Sequence, residues 1–367
     1  MKFTCNKNAF AQMFNVAAAT AAVKDIKNVF QNVKLRAAEG CLIFMASDLD
    51  NSVRLQLDGA NVQEPGAVIL PKDLVKEVLQ VCRDNEISME SQGNQLTLFN
   101  GRYSDIPTID PDNFPDIELI EPEEYHETTA STLRELIART KFATEHENTK
   151  YSLSGVLIEM TEGRIAAIST DGRRMTNQES TATQVGSFTT EGSSIASLVT
   201  FEIAERIFSG DEKIRCAIRD GRINFFWGKS MLRGRLINGR FPRWRNLVPE
   251  DDKLVDYTRV DFLAGPLTQL IREAKVPRTE KQPGVMFKFS SGRLELSAHG
   301  NERGQSQLTM PVNYSAEPFD LKLEPTFVLD FLKVLNPETQ VELYMNGDNA
   351  ILFKTADGYR YLVMPMS

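Results

Sequence analysis

Residues able to do chemistry on their own are few, and they do not assemble. His126, His146 and His299 lie far apart, and none stands in an HxxxH pattern or at a His/Cys ligand spacing. Neither a zinc site nor a Ser/His/Asp triad is legible in them. Gly228-Lys229-Ser230 has the ending of a phosphate loop, but the motif's first glycine would fall on Ile223, inside an apparent strand. Asp48, Asp50 and Asn51 begin like a calcium loop yet lack its glycine and distal glutamate, which leaves a hairpin turn. Cys5, Cys41, Cys82 and Cys216 are scattered without CxxC pairing, as reduced and mostly buried thiols are. The expectation is a protein with no catalysis, no metal and no cofactor.

Charge is the other chemical resource. Residues 213–245 carry ten Lys/Arg against one acid, Asp220. Two readings stay open for this run: a solvated face of strands, or part of a basic surface. The long helical patterns add Arg134, Arg139 and Lys141, then Arg272 and Lys275. The chain as a whole is acidic, with 42 Lys+Arg against 50 Asp+Glu and a net charge of −8. That balance argues against a protein that grips nucleic acid by bulk electrostatics.

These groups must be positioned by a chain of 367 residues whose 41% hydrophobic and 25% charged content is globular. No run of eighteen apolar residues is present for a membrane span. Lys2 followed by residues 9–23 has the outline of a signal peptide. Asn6, Asn8, Gln12 and Asn15 interrupt it, however, and Phe10, Met13, Phe14 and Ala17 fall at helical spacing. An amphipathic first helix and a cytoplasmic protein are expected.

Internal repetition organises the rest. Alternating segments flank Gly40, Gly163 and Gly292 as NVKLRAAEGCLIFMASD, GVLIEMTEGRIAAISTD and GVMFKFSSGRLELSAHG, each a hairpin signature. A helical pattern precedes each hairpin (residues 8–21, 131–144 and 263–276) and a shorter one follows (72–82, 201–208 and 325–335). A second strand pair closes each unit around GNQLTLFNG, DGRINFFWG and GDNAILFKTADG. Between Tyr103 and Arg134 there are nine acids, no Lys or Arg and four prolines, which is linker chemistry. Three α+β domains follow, at 1–122, 123–252 and 253–367. Each is mainly antiparallel sheet with two helices covering one face.

Thr170–Met175 (TDGRRM), Gly239–Pro249 (GRFPRWRNLVP) and Tyr361–Ser367 (YLVMPMS), with the opening MKFT and LSGVLIEM (153–160), resemble the bacterial sliding clamp family, the β subunit of DNA polymerase III. The resemblance spans the whole chain in register. It implies half of a six-domain ring: a homodimer whose helices line a hole and whose sheets form the outer wall. Such a ring encircles duplex DNA, slides without catalysis, and tethers the replicative polymerase, clamp loader and other DNA enzymes through short hydrophobic peptides. Its location would be cytoplasmic and nucleoid-associated, with no membrane partner. A peptide-binding scaffold without DNA, and a hydrolase with an unrecognised site, are the rival readings.

The resemblance also implies sites. The partner-peptide cleft would comprise Leu153, Thr170, Gly172, Arg173, Arg174, Met175, Pro242, Leu247, Leu362, Val363, Met364, Pro365 and Met366, with Arg174 fixing polar groups of the peptide. Lys24, Lys72, Asn148, Lys150 and Tyr151 match positions that touch DNA. Tyr103, Ile106 and Ile109 would meet Leu270, Ile271 and Val276 of a second copy. The sequence departs from the family's pattern in several places. Arg173 stands where His is common, Asn246 where Arg is common, and Ser367 ends the chain one residue early. The loop around Lys24 lacks the usual prolines, and the short helix of the second unit lacks the usual bases before it.

Overall fold

The structure, a computed structural model, describes residues 1–367 except 24–28, 100–102, 146–152, 191, 193, 278, 280–282, 301–303, 348 and 367. Among the described residues six α-helices are formed: α1 (Lys7–Thr20), α2 (Lys72–Val81), α3 (Ala130–Thr140), α4 (Leu198–Ile207), α5 (Ala264–Ala274) and α6 (Pro325–Lys333). The N-terminal apolar stretch is a helix: Asn6 caps it by accepting from Ala9 N at 3.0 Å, and Phe10, Phe14, Ala17 and Ala18 bury one face.

The three expected hairpins are all present, as strands Val33–Ala38/Cys41–Ser47, Gly155–Thr161/Arg164–Thr170 and Val285–Ser290/Arg293–Gly300. Gly40, Gly163 and Gly292 sit at their turns with φ of 68°, 69° and 69°. That left-handed conformation is open to glycine at no steric cost, which is why the residue recurs there.

The residues group into two compact units, between which the middle repeat is divided. The first unit holds residues 1–134, 182–188 and 199–236. Its five-stranded sheet runs Asn61–Glu64, Lys2–Asn6, Glu86–Gln92, Gln95–Phe99, Tyr103–Pro107, so Tyr103–Pro107 is an edge. Strand Asn51–Asp58 of the first repeat pairs with Ser230–Ile237, the closing strand of the second, with Asn51 opposite Gly234. Thr200 on α4 donates to Asn51 Oδ1 at 2.6 Å, and a Cβ at position 234 would collide with the Thr200 side chain.

The second unit holds residues 135–181, 189–198 and 237–367. Strand Arg174–Thr181 pairs with Arg360–Val363, the closing strand of the third repeat. Its four-stranded sheet runs Gly304–Pro311, Arg293–Gly300, Val285–Ser290, Phe319–Leu323, so Gly304–Pro311 is an edge. The core beneath is aromatic and aliphatic, with Phe331 stacked on Tyr361 at 5.1 Å and Ile271, Leu323 and Val363 fully buried.

The acidic stretch expected to be a linker is instead docked on the first unit. Phe114 is buried at 1% exposure, and Lys34 Nζ reaches its carbonyl at 2.8 Å and Asp116 Oδ1 at 2.7 Å. Arg36 also pairs with Asp116, and Ile109 exchanges backbone hydrogen bonds with Ile69 at 3.2 Å. Apolar residues spaced among the acids supply the anchors, and two bases on a neighbouring strand neutralise the charge.

Candidate functional site: an apolar cleft in the second unit

The cleft begins with a turn. In Thr170–Arg174, Asp171 Oδ1 accepts from the backbone N–H groups of Arg173 at 2.9 Å and Arg174 at 3.0 Å. Thr170 Oγ1 donates to Arg174 O at 2.6 Å and accepts from Gly172 N at 3.0 Å. Gly172 takes φ of 84°, which the turn requires. Short polar side chains thus satisfy the backbone locally, the usual reason for Thr, Asp and Gly in turns. Strand Arg174–Thr181 follows, with Met175 opposite Leu362, and Met364 N donates to Arg173 O at 2.9 Å.

The second wall is residues 239–249. Phe241, Trp244 and Val248 are buried anchors in a core with Leu157, Ile168 and Leu352, and a 3-10 turn at Trp244–Asn246 turns Leu247 outward. Trp244 is held further by Glu159, which is 2% exposed. It accepts from Trp244 Nε1 at 3.4 Å and from Arg245 at 2.6 and 3.2 Å, while Arg245 covers the indole ring at 4.5 Å.

Between the walls lies a cavity of about 300 Å³. Ten of the thirteen residues expected to form the cleft line it: Leu153, Thr170, Gly172, Arg173, Arg174, Met175, Pro242, Leu247, Leu362 and Met364. Its lining is overwhelmingly apolar, and Leu247 and Met364 remain 57% and 49% exposed at its mouth. An open, apolar depression with two flexible or exposed side chains at its lip suits large aliphatic or aromatic side chains of a partner segment.

Three expected members lie elsewhere. Strand alternation turns Val363 into the core at 0% exposure, and Met366 N donates to Lys322 O at 2.8 Å, carrying the tail past the strand Phe319–Leu323. Pro365, between Met364 and Met366, is half-buried and not part of the lining. Ala350, unremarked in the sequence, completes the lining from the residue before strand Ile351–Thr355; nothing in its type or spacing signalled this.

Arg174 has a different task from the one expected. Its Nε donates to Asp171 at 2.8 Å, Nη1 to Asp330 at 2.7 Å and Nη2 to Phe142 O at 2.8 Å, and the guanidinium stacks over Phe327 at 4.3 Å. Burial opposes its charge, but Tyr361 and the two aspartates outweigh that and raise its pKa. Tyr361 behind it is pushed up by burial and stays a neutral phenol that donates to Phe327 O at 2.9 Å. Arg174 therefore pins the turn to α6, while Arg173 is the exposed cation at the cleft.

Of the residues matched to DNA contacts, Lys24, Asn148, Lys150 and Tyr151 fall outside the described residues. Lys72, at the start of α2, donates to Ala22 O at 2.8 Å and Ala21 O at 3.4 Å beyond the end of α1, and burial lowers its pKa. Arg139 is not a free base on α3. It is 9% exposed, paired with Glu135 and Asp357 at 2.6 Å each, and stacked on Tyr359.

The expected dimer contacts divide as well. Ile106 and Ile271 are 1% and 0% exposed, and Ile109 and Leu270 pack on the cores of their own units. Ile106 and Ile271 thus face the interior of their own units, while Ile109 and Leu270 remain partly exposed. Val276 is 69% exposed, and Tyr103 lies on the free edge strand. His126 and His299 lie in separate units, and no group of three or more His, Cys, Asp or Glu among the described residues could hold a metal ion.

Three domain families match the sequence in succession: the DNA polymerase III beta subunit N-terminal domain at residues 1–118, its central domain at 127–243 and its C-terminal domain at 245–367. The beta sliding clamp of Escherichia coli K12 is 23% identical over 374 residues and covers 100% of both chains. That of Synechococcus elongatus is 25% identical over 379 residues, covering 100% of this chain and 99% of the relative. Among solved structures, a sliding clamp from Pseudomonas aeruginosa bound to griselimycin superposes with a TM-score of 0.91 at 22% identity, covering 100% and 99% of the two chains. The Bacillus subtilis sliding clamp does so at 0.89 and 19%, with the same coverage.

Proposed function

The chain belongs to the DNA polymerase III beta subunit family, and from that premise we propose how two copies close into a ring and where partner proteins attach. It is a DNA polymerase processivity factor, without catalysis of its own, that acts as a sliding clamp on DNA.

The observation that carries ring closure is the repeat order. In each repeat the strand after the hairpin has an equivalent: Asn51–Asp58, Arg174–Thr181 and Gly304–Pro311. Each repeat also ends on an equivalent strand: Tyr103–Pro107, Ser230–Ile237 and Arg360–Val363. The first pairs with the end of the second repeat and the second with the end of the third. Among the described residues, Gly304–Pro311 and Tyr103–Pro107 lack such a neighbour, and each is a sheet edge. By equivalence they are partners, and in a head-to-tail dimer they pair twice. Such a heterologous contact closes when the rotation divides a full turn, and six equivalent repeats supply six steps. Closure also removes two unpaired edges that would otherwise invite aggregation. The two free edges, with Tyr103 on one of them, support a contact made through edge strands.

The apolar cleft is the site for short hydrophobic segments of the polymerase, clamp loader and other DNA enzymes. Linkage to DNA is topological, so a net charge of −8 is no obstacle, and a nucleoid-associated location follows from the task. Lys24, Lys72, Asn148, Lys150 and Tyr151 are the candidates for weak contacts with DNA. Retention on nicked circular DNA after assisted loading is expected to survive high salt and to vanish on linearisation. Salt-labile binding indifferent to DNA ends, the signature of counterion release, would overturn the reading.

A further inference from the structure

In the first unit, three adjacent strands bring arginines together on one face. Arg219 stands opposite Arg222, and Arg222 opposite Arg235; in the next row on the same face, Arg233 lies opposite Asn224. Like charges directly opposed are unfavourable unless something compensates them. Arg235 pairs with Asp50 at 3.2 Å, Arg222 donates to Asp50 O at 3.0 Å, and Arg219 meets the exposed Asp220 at 3.5 Å. Arg233 has no carboxylate within ion-pair distance among the described residues. Its contacts are Asn224 Oδ1 at 2.9 Å and Met231 Sδ at 3.9 Å, and half-burial beside Arg222 lowers its pKa. A half-buried guanidinium held only by neutral groups is an incomplete arrangement.

A depression of about 220 Å³ opens at this point, lined by Arg219, Arg222 and Arg233 against one acid, the exposed Asp220, with Ile120, Pro122 and Phe226 among its apolar walls. What it would accept is shown next door. The chain's own acidic segment lies on the same face: Ile117 and Leu119 pack on Ala217, Phe226 and Met231, and Glu121 pairs with Arg215, whose guanidinium lies over Tyr125 and Phe226. The face therefore already binds a segment that mixes acidic and apolar residues, Ile117 to Glu121, and the same chemistry continues past it around Arg233.

We propose that this arginine-rimmed depression on the 213–237 strands is a second docking site, which takes an acidic–apolar peptide segment of a partner protein by pairing its carboxylate with Arg233, Arg222 and Arg219. It is distinct from the apolar cleft, where Arg174 is spent on Asp171 and Asp330 and Arg173 stands exposed at the lining. Bidentate guanidinium–carboxylate pairing in a partly desolvated pocket gives both strength and orientation.

The test uses the full chain and a synthetic peptide of the sequence Glu-Leu-Ile-Glu flanked by glycines, titrated by calorimetry and by NMR shifts of the arginine side chains. Saturable binding is expected, weakened at least tenfold by Arg233→Gln and also by the fully foldable surface change Arg219→Gln. Arg233→Lys should retain part of the affinity, and 10 mM inorganic phosphate should compete poorly. No binding at millimolar peptide, affinity unchanged in both glutamine variants, or equal competition by phosphate would overturn the proposal, the last by reducing the site to one for small anions. An apolar cleft peptide should bind all variants as it binds the parent chain.

Discussion

Arg173 and Arg174 are adjacent and alike in type, yet one is exposed at the cleft and the other is spent on its foundations. The difference lies in their surroundings: the Arg174 side chain is about 10% exposed between Asp171 and Asp330, while Arg173 faces solvent. Removing one partner of a buried pair leaves the other charged groups uncompensated, at a cost of about 3 kcal/mol. Arg174→Ala is therefore expected to lower the denaturation midpoint clearly in a urea titration, whereas Arg173→Ala should leave it unchanged and alter peptide affinity alone. The walls behave differently again. Met364→Ala together with Leu247→Ala should weaken an apolar partner peptide by about 2 kcal/mol or more, measured by fluorescence anisotropy, with no loss of dimer. Unchanged peptide affinity would move the binding site elsewhere.

At the scale of elements, edges and anchors decide the behaviour. Successive N–H groups of Gly304–Pro311 point alternately toward strand Arg293–Gly300 and toward the free edge, so of Gln307 and Leu308 one directs its N–H outward. Proline at that residue is tolerated by the sheet but removes a donor from the intersubunit ladder. One of Gln307→Pro and Leu308→Pro should thus sediment as a folded monomer of 41.3 kDa, and two folded dimers would exclude this edge. The docked acidic segment is pH-dependent. Lys34, with Arg36, holds the Asp116 carboxyl below its usual range despite some burial. A carboxyl depressed in the folded state stabilises above its unfolded pKa of about 3.9 and loses that contribution as pH falls through the folded value. Release of residues 108–122 is accordingly expected below about pH 4, visible as earlier amide exchange there, and absent as a separate step in Asp116→Asn. Asp116 is itself well exposed, so the effect on global stability should be slight.

For the whole molecule, the decisive quantity is not affinity for DNA but closure. A solution mass near twice 41.3 kDa is expected, independent of DNA. Half of the ten bases in residues 213–245 are tied to acids. Lys213, Arg215, Arg235 and Arg245 are each paired with an acid within their own unit, and Arg219 with its neighbour Asp220. An acidic protein with half of these bases neutralised suits a ring that must not hold phosphates tightly.

Much was legible before any coordinates. The glycine-centred hairpins, the paired helices and the order of three repeats were written in alternation and helical spacing, because those periods follow from backbone geometry alone. The cleft's TDGRRM turn was legible too, since Thr, Asp and Gly each answer a local backbone demand. What the tertiary structure alone decided was which side of a strand each residue faces and what meets it there. Val363 and Ile271 went to the core, Arg139 and Arg174 to buried ion pairs, Ala350 to the cleft, and the acidic linker onto a sheet. The sharing of the middle repeat between two compact units was equally unreadable. These outcomes depend on contacts between residues far apart in the chain, for which sequence spacing carries no record.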